Sequence, residues 1–149
     1  MKKIFFLIKV LVIYSFLNFS VIAKESVYFT EGVEFFKKKE FEKSKILFER
    51  DIVFNPKSEK SYLYLAKIFS IDDNVEEQEK NLNNVLLLNP KNDEALYMLL
   101  LIKIKQSNYN KTKELLNTFD LVCKSFCSKK DEIQKKFEKL SPDKANDIN

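Results

Sequence analysis

The tripeptide Asn-Pro-Lys occurs twice in this chain of 149 residues, at 55–57 and 89–91, so that its two prolines lie 34 residues apart. An apolar run precedes each copy, at 52–54 and 86–88. A period of about 20–50 residues is typical of stacked supersecondary units that cannot bury their apolar faces alone. The spacing therefore predicts a tandem array of such units.

Three consecutive segments align without a gap when the chain is divided after this motif, and each contains two apolar helical patterns separated by a polar break. The segments are 25–58, 59–92 and 93–126, and the breaks are 38–40, 72–74 and 106–108. The second helices are predicted to open at Phe41, Val75 and Tyr109. The chain has one glycine and three prolines, whereas strand-and-turn folds need glycine in their tight turns. The sequence therefore predicts an all-α fold.

Matching positions in the three segments share a physical role. The first helices carry Gly32, Ala66 and Leu100, and the second helices carry Phe48, Leu82 and Leu116. This pattern resembles the tetratricopeptide repeat family, whose unit is a helical hairpin of about 34 residues. The resemblance covers residues 25 to about 126 and implies a short right-handed superhelix, an α-solenoid, within a domain at 24–140. Some positions where that family places small residues hold larger or polar ones here: Ser44, Asp51, Gln78 and Thr112.

The segment after the third repeat, 128–140, is predicted to be a capping helix with a polar, solvent-exposed outer face, which solenoids need at their ends. Ser128 with Asp131 three residues later is typical of a helix start. Ile133, Phe137 and Leu140 form one apolar stripe. Residues 141–149 are predicted to be a disordered tail.

The first 23 residues are predicted to be a signal peptide. They contain three lysines, no acidic residue, a short apolar core and Ala23 at a cleavable position. An uncleaved membrane anchor is the alternative, although Lys9 and Asn18 interrupt the apolar run and a spanning helix needs about 20 apolar residues. Either way we expect an exported protein, periplasmic or envelope-associated. Outside this segment the chain has 23 of its 26 basic residues and all 22 acidic ones, so its charge is nearly balanced. A balanced charge gives little support to nucleic-acid binding.

Two cysteines, Cys123 and Cys127, follow the third repeat. In an oxidising compartment an even pair is a candidate disulfide, which would fix the turn before the capping helix. Free buried thiols are the alternative, because the i,i+4 geometry of a helix suits a bridge poorly.

Catalytic chemistry is not expected. The chain has no histidine, which removes Ser-His and Cys-His pairs and most metal sites. Its single glycine excludes a phosphate-cradling loop. We therefore predict no enzyme activity, cofactor, metal or small-molecule substrate, and a surface that binds another protein.

The family resemblance implies that the first helices line a concave groove for a peptide segment or a helix. The predicted groove residues are Phe29, Val33, Phe36, Leu63, Lys67, Tyr97, Leu101 and Ile104. An apolar face with scattered lysines suits an apolar segment or an amphipathic helix. A face filled by the chain itself, or by a second copy, is the alternative.

The leading functional interpretation is an exported adaptor or scaffold that mediates protein–protein interaction in the cell envelope, for example as an accessory factor of outer-membrane or envelope assembly. One alternative is a structural homo-oligomer or an inner-membrane-anchored scaffold. Another is a periplasmic holdase-type chaperone with many weak clients. A cytoplasmic secretion chaperone of three such repeats would match the size, but residues 1–23 argue against it.

Overall fold

The computed structural model describes residues 25–140, and this part of the chain is an all-helical α-solenoid. Its α-helices are α1 Val27–Lys37, α2 Phe41–Phe54, α3 Glu59–Ile71, α4 Val75–Leu88, α5 Asp93–Lys105, α6 Tyr109–Val122 and α7 Lys130–Glu138. Unit one pairs α1 with α2, unit two pairs α3 with α4, and unit three pairs α5 with α6. The predicted signal segment 1–23 and the predicted tail 141–149 lie outside the described residues. No helix within 25–140 is long and apolar enough to cross a membrane.

The predicted boundaries between the paired helices are confirmed. The second helices begin at Phe41, Val75 and Tyr109, as the alignment predicted. Each polar break contains one residue with positive φ at the same repeat position, namely Lys39, Asp73 and Ser107. A left-handed residue reverses the chain within three residues and so allows two helices to pack as a tight hairpin.

The two helices of each unit meet through residues whose sizes are complementary. In unit one Gly32 faces Phe48, and a Cβ atom at Gly32 would lie 2.8 Å from Cε1 of that ring. The same two positions hold Ala66 with Leu82 in unit two and Leu100 with Leu116 in unit three, and all four side chains are buried. The absence of a side chain at Gly32 therefore makes room for Phe48, which is larger than the leucines at the same position in the other two units.

The polar residues that depart from the family pattern find partners inside the structure. Ser44 is fully buried, and its hydroxyl donates to the Gly32 carbonyl at 2.8 Å. Thr112 is fully buried and donates to the Asn108 carbonyl at 2.7 Å. Within the described residues, no buried side-chain nitrogen or oxygen lacks a hydrogen-bond partner. These residues are thus accommodated without the desolvation cost of an unpaired polar group.

One buried position differs between the joint of units one and two, where it is polar, and the joint of units two and three, where it is apolar. Asp51 is 1% exposed and accepts hydrogen bonds from the hydroxyls of Ser26 and Ser61. Thirty-four residues later, the positions of Asp51 and Ser61 hold Val85 and Ala95, which are both fully buried. The same position is therefore a buried hydrogen-bonded pair at the first joint and an apolar pair at the second.

A capping helix follows unit three, but it begins later than the sequence suggested. Ser128 does not cap it; a 3-10 turn at Cys127–Lys129 comes first, and α7 starts at Lys130 with no side-chain cap at Lys129. Ile133 is fully buried. The Phe137 ring stacks on Tyr109 with centroids 4.9 Å apart. The predicted apolar stripe thus covers the last unit, while the disulfide turn displaces the helix start.

Two contacts hold the turn before α7. Cys123 and Cys127 are joined by a disulfide with their Cα atoms 5.2 Å apart, because α6 ends at Val122 and neither cysteine lies in an α-helix. The Asp93 carboxylate accepts the backbone N–H groups of Lys124 at 2.7 Å and Phe126 at 2.9 Å. Burial alone would raise the pKa of Asp93, but these N–H groups outweigh burial and lower that pKa below its ordinary value.

We expect the double variant Cys123→Ser with Cys127→Ser to lower the free energy of unfolding. The expected loss is only about 2 kcal/mol, because a bridge that closes a loop of a few residues stabilises less than one that closes a long loop. The loss should be concentrated in α7, which would be seen as faster amide hydrogen exchange at Ile133 and Phe137. Amides of α3 serve as the internal control. Uniformly faster exchange across all seven helices would contradict a local role of the bridge.

Candidate functional site

The face predicted to bind a partner is formed by the first helices of the three units, α1, α3 and α5. The structure places its eight predicted residues in two groups, according to the hydrophobic cluster that each side chain contacts. Phe29 belongs to the smaller cluster, between unit one and α3, and Val33 and Phe36 contact it. Leu63, Tyr97, Leu101 and Ile104 contact the larger cluster of units two and three. Lys67 makes polar contacts between the two groups.

Phe29 is not available as a groove residue. It is only 7% exposed, and its ring lies 5.8 Å from Phe48 and 5.9 Å from Tyr64, centroid to centroid. A partner could touch this ring only after other side chains had moved. The prediction of Phe29 as a groove residue is therefore corrected, because packing against α2 and α3 buries it in the core between units one and two.

Val33 and Phe36 are half-buried on the same helix. The Phe36 ring meets Tyr64 edge-on at 5.0 Å and Phe41 at 5.4 Å. These two residues therefore link α1 to both of its neighbours and leave only part of their surface for a partner.

Lys67 bridges units two and three. Its ammonium group lies 2.8 Å from the Glu94 carboxylate and 5.1 Å from the centroid of the Tyr64 ring. Both members of the ion pair are about one quarter exposed, at 26% and 28% of their side chains. The sequence could not identify this pairing, because the partner lies on the next repeat and carries no special local signal.

Leu63, Leu101 and Ile104 are half-buried against the core of units two and three. Leu101 also lines a cleft of about 200 Å³ with Met98 and Lys105. Tyr97 is half-buried too, but its ring packs 5.4 Å from Phe126, so the segment before α7 covers part of it. The usable apolar surface of this face is therefore concentrated at Leu63, Leu101 and Ile104.

A second apolar surface was not predicted from the sequence. The second helices end with large apolar side chains that are strongly exposed: Val53 at 73%, Leu87 at 81% and Leu121 at 86%. These residues are 34 positions apart, so the repeat alignment contained the signal. The sequence alone does not distinguish them from core residues, because the exposure of a large apolar side chain near a helix end depends on the helices packed around it.

Within residues 25–140, no group of three or more His, Cys, Asp or Glu side chains is placed to hold a metal ion. The absence of a metal or cofactor in the active protein stays a prediction.

Comparison with known proteins shows the fold only. A chain of the solved CopN-Scc3 complex superposes with a TM-score of 0.63, over 82% of this chain and 84% of its own length, at 16% sequence identity. No protein-family model and no curated protein matches the sequence. The described residues thus have a tetratricopeptide-like fold, while membership of that family and the signal peptide stay predictions.

Proposed function

We propose that this chain is a non-enzymatic, exported adaptor of the cell envelope that binds a segment of another protein along α3 and α5. The observation that carries the proposal is the apolar surface of α5. A helix packed on one side needs only an apolar stripe. Besides its buried residues, however, α5 presents Met98, Leu101 and Ile104 as half-buried side chains.

Two further observations support a protein partner. The solved neighbour belongs to a complex, so a stack of helices like this one does occur in an assembly. The apolar residues lie on helices rather than loops, and a rigid helical face suits an amphipathic helix or an apolar segment. Export to the envelope rests on residues 1–23 alone, and a role in outer-membrane or envelope assembly is one pathway that such an adaptor could serve.

The first test is photo-crosslinking in the native cells, with the probe placed at Leu63 and Leu101. Ile46 is the matched control, because it is apolar, 47% exposed and located on α2 rather than on the proposed face. We expect one dominant protein adduct from Leu63 and Leu101 and none from Ile46. Adducts with many proteins would instead favour a holdase-type chaperone, and adducts only with this chain would favour a homo-oligomer; either result would overturn the adaptor proposal.

Once the partner is known, we expect Leu63→Ala with Leu101→Ala to weaken its binding by at least about tenfold. Truncating a side chain that becomes fully buried at an interface typically costs more than about 1 kcal/mol. Isothermal titration would measure the change, with Ile46→Ala as the matched control that leaves affinity unchanged. Equal affinities for the double variant and the control would place the binding surface elsewhere.

A further inference from the structure

The turn between α6 and α7 covers part of the proposed binding face. Phe126 lies in this turn, and its ring packs 5.4 Å from that of Tyr97 on α5, centroid to centroid. Tyr97 precedes Leu101 by four residues on the same helix, so both side chains lie on one side of α5. The turn therefore covers an aromatic residue that would otherwise extend the apolar surface formed by Leu101 and Ile104.

A covalent loop restrains the position of Phe126. The disulfide joins Cys123, the residue after α6, to Cys127, the first residue of the 3-10 turn, and Phe126 lies inside the loop that the bridge closes. Cys123 and Phe126 both pack against the hydrophobic cluster of units two and three. The bridge thus restrains the backbone on both sides of the ring that covers Tyr97.

Without the bridge, hydrogen bonds to one carboxylate would still hold the turn. Asp93 accepts the N–H groups of Lys124 and Phe126, and Lys124 is exposed. Because water competes for an exposed N–H group, these hydrogen bonds restrain the turn less tightly than a covalent bond does. We therefore expect the turn to open more often once the disulfide is reduced.

The capping helix has contacts that do not depend on the bridge. Ile133 of α7 is fully buried, and the ring of Phe137 stacks on Tyr109. The ammonium group of Lys130 lies 3.1 Å from the Asp120 carboxylate of α6. Loss of the bridge should therefore loosen α7 without detaching it, while the turn before it is released.

The bridge is accessible to an external thiol, because Cys127 is exposed whereas Cys123 is half-buried. One thiolate of a dithiol can attack the Sγ atom of Cys127, which breaks the S–S bond and releases Cys123 as a thiolate. The second thiol of the reagent then attacks the mixed disulfide and releases Cys127. The bridge thereby gains two electrons and two protons, and the dithiol becomes a disulfide.

We propose that the bridge between Cys123 and Cys127 makes the turn a redox-sensitive cover of the binding face. In the oxidised chain Phe126 covers Tyr97. In the reduced chain the turn opens, and Tyr97 joins Leu101 as exposed apolar surface. A protein partner should therefore bind the reduced chain more tightly, since one more aromatic side chain becomes available for contact. This last step rests on the proposed function, whereas the opening of the turn does not.

The opening is tested by nitration of tyrosines with tetranitromethane, measured by mass spectrometry on the full chain as the cell produces it. The bridged chain is compared with the double variant Cys123→Ser with Cys127→Ser, because neither has a free thiol that would consume the reagent. We expect Tyr97 to be nitrated at least about threefold faster in the double variant, because Phe126 then covers it for less of the time. Tyr64 is the matched control, since it is also half-buried but packs against the other cluster. It should react equally in both chains.

The variant Phe126→Ala separates the cover from the bridge. It should raise the nitration of Tyr97 to a similar extent while the disulfide stays closed, because the ring that covers Tyr97 is gone. Leu121→Ala is its matched control, since Leu121 is also large and apolar but is 86% exposed near the end of α6. This control should leave the nitration of Tyr97 unchanged.

The chemistry of the bridge is tested with dithiothreitol in the absence of denaturant. We expect the dithiol to open the bridge of the folded chain, so that two iodoacetamide adducts are then counted by mass spectrometry. A bridge that opens only in urea would overturn the proposal, because it would show that a dithiol cannot reach Cys127 in the folded chain.

Three further results would overturn the proposal. The first is equal nitration of Tyr97 in the bridged chain and the double variant. The second is a rise at Tyr109 as large as that at Tyr97, which would mean that the whole cap detaches. The third, once the partner is known, is equal affinity for the bridged chain and the double variant. The two nitration results do not depend on whether crosslinking at Leu63 and Leu101 identifies a partner, so failure of the cover is distinguishable from failure of the proposed function.

Discussion

We expect Phe48→Ala to lower the free energy of unfolding by about 3–5 kcal/mol, measured by urea titration of the purified chain. Phe48 is fully buried between the two helices of unit one and the first helix of unit two. Its ring stacks on Tyr64 with centroids 4.8 Å apart and contacts Phe29 at 5.8 Å. Its removal leaves a cavity that the glycine opposite cannot fill.

The pairing of Gly32 with Phe48 supplies a sharper control. Alanine is a better helix former than glycine by about 1 kcal/mol, so Gly32→Ala would stabilise α1 if nothing opposed it. We expect it to destabilise instead, because its Cβ atom would lie 2.8 Å from a fully buried ring that packs against Phe29 and Tyr64. The double variant Gly32→Ala with Phe48→Leu recreates the Ala66–Leu82 pair of unit two, and it should be more stable than the sum of the single changes predicts. Additive effects would show that the steric explanation is wrong.

The second large effect is expected for Asp51→Ala, which should lower the free energy of unfolding by about 2–4 kcal/mol at neutral pH. The carboxylate accepts hydrogen bonds from the hydroxyls of Ser26 and Ser61, and Ser61 is fully buried. An alanine would leave the Ser61 donor without its acceptor. Urea titration measures the change, and loss of helicity in unit one should accompany it, because Ser26 also caps α1.

The matched control removes the carboxylate of Asp51 together with the hydroxyl of Ser61, the fully buried one of its two partners, while the half-buried Ser26 stays in place. Asp51→Val with Ser61→Ala gives the joint between units one and two the residues that join units two and three, Val85 and Ala95. Replacing a buried polar pair with apolar residues of suitable shape is often neutral, so this variant should stay within about 1 kcal/mol of the native chain. If it is as unstable as Asp51→Ala, the unpaired hydroxyl of Ser61 is not the cause of the loss.

Much of the fold could be predicted from the sequence because the signals that define each repeat are local. The prolines, the polar breaks and the helical spacing of apolar residues each depend on a few neighbouring positions. They predicted the starts of α2, α4 and α6 correctly. The start of α7 was predicted wrongly, because the capping signal at Ser128 competes with a disulfide turn and with hydrogen bonds to Asp93, which lies in the preceding unit.

The candidate binding face shows the same division between local and non-local information. The family resemblance assigned Leu63, Leu101 and Ile104 to the face that the first helices line. It could not show that Phe29 is buried, because this depends on Tyr64 in the next unit. Nor could it show that Phe126 partly covers Tyr97.

The sequence by itself determined that residues 25–126 form stacked helical hairpins, because a 34-residue period with proline at the unit ends is satisfied by few other arrangements. Only the tertiary structure decided which apolar side chains serve the core and which remain for a partner. Phe29 and Val53 are both large and apolar, yet one is buried and the other is 73% exposed. The physical reason is that burial depends on the helices packed around a side chain, and those helices are supplied by neighbouring units rather than by neighbouring residues.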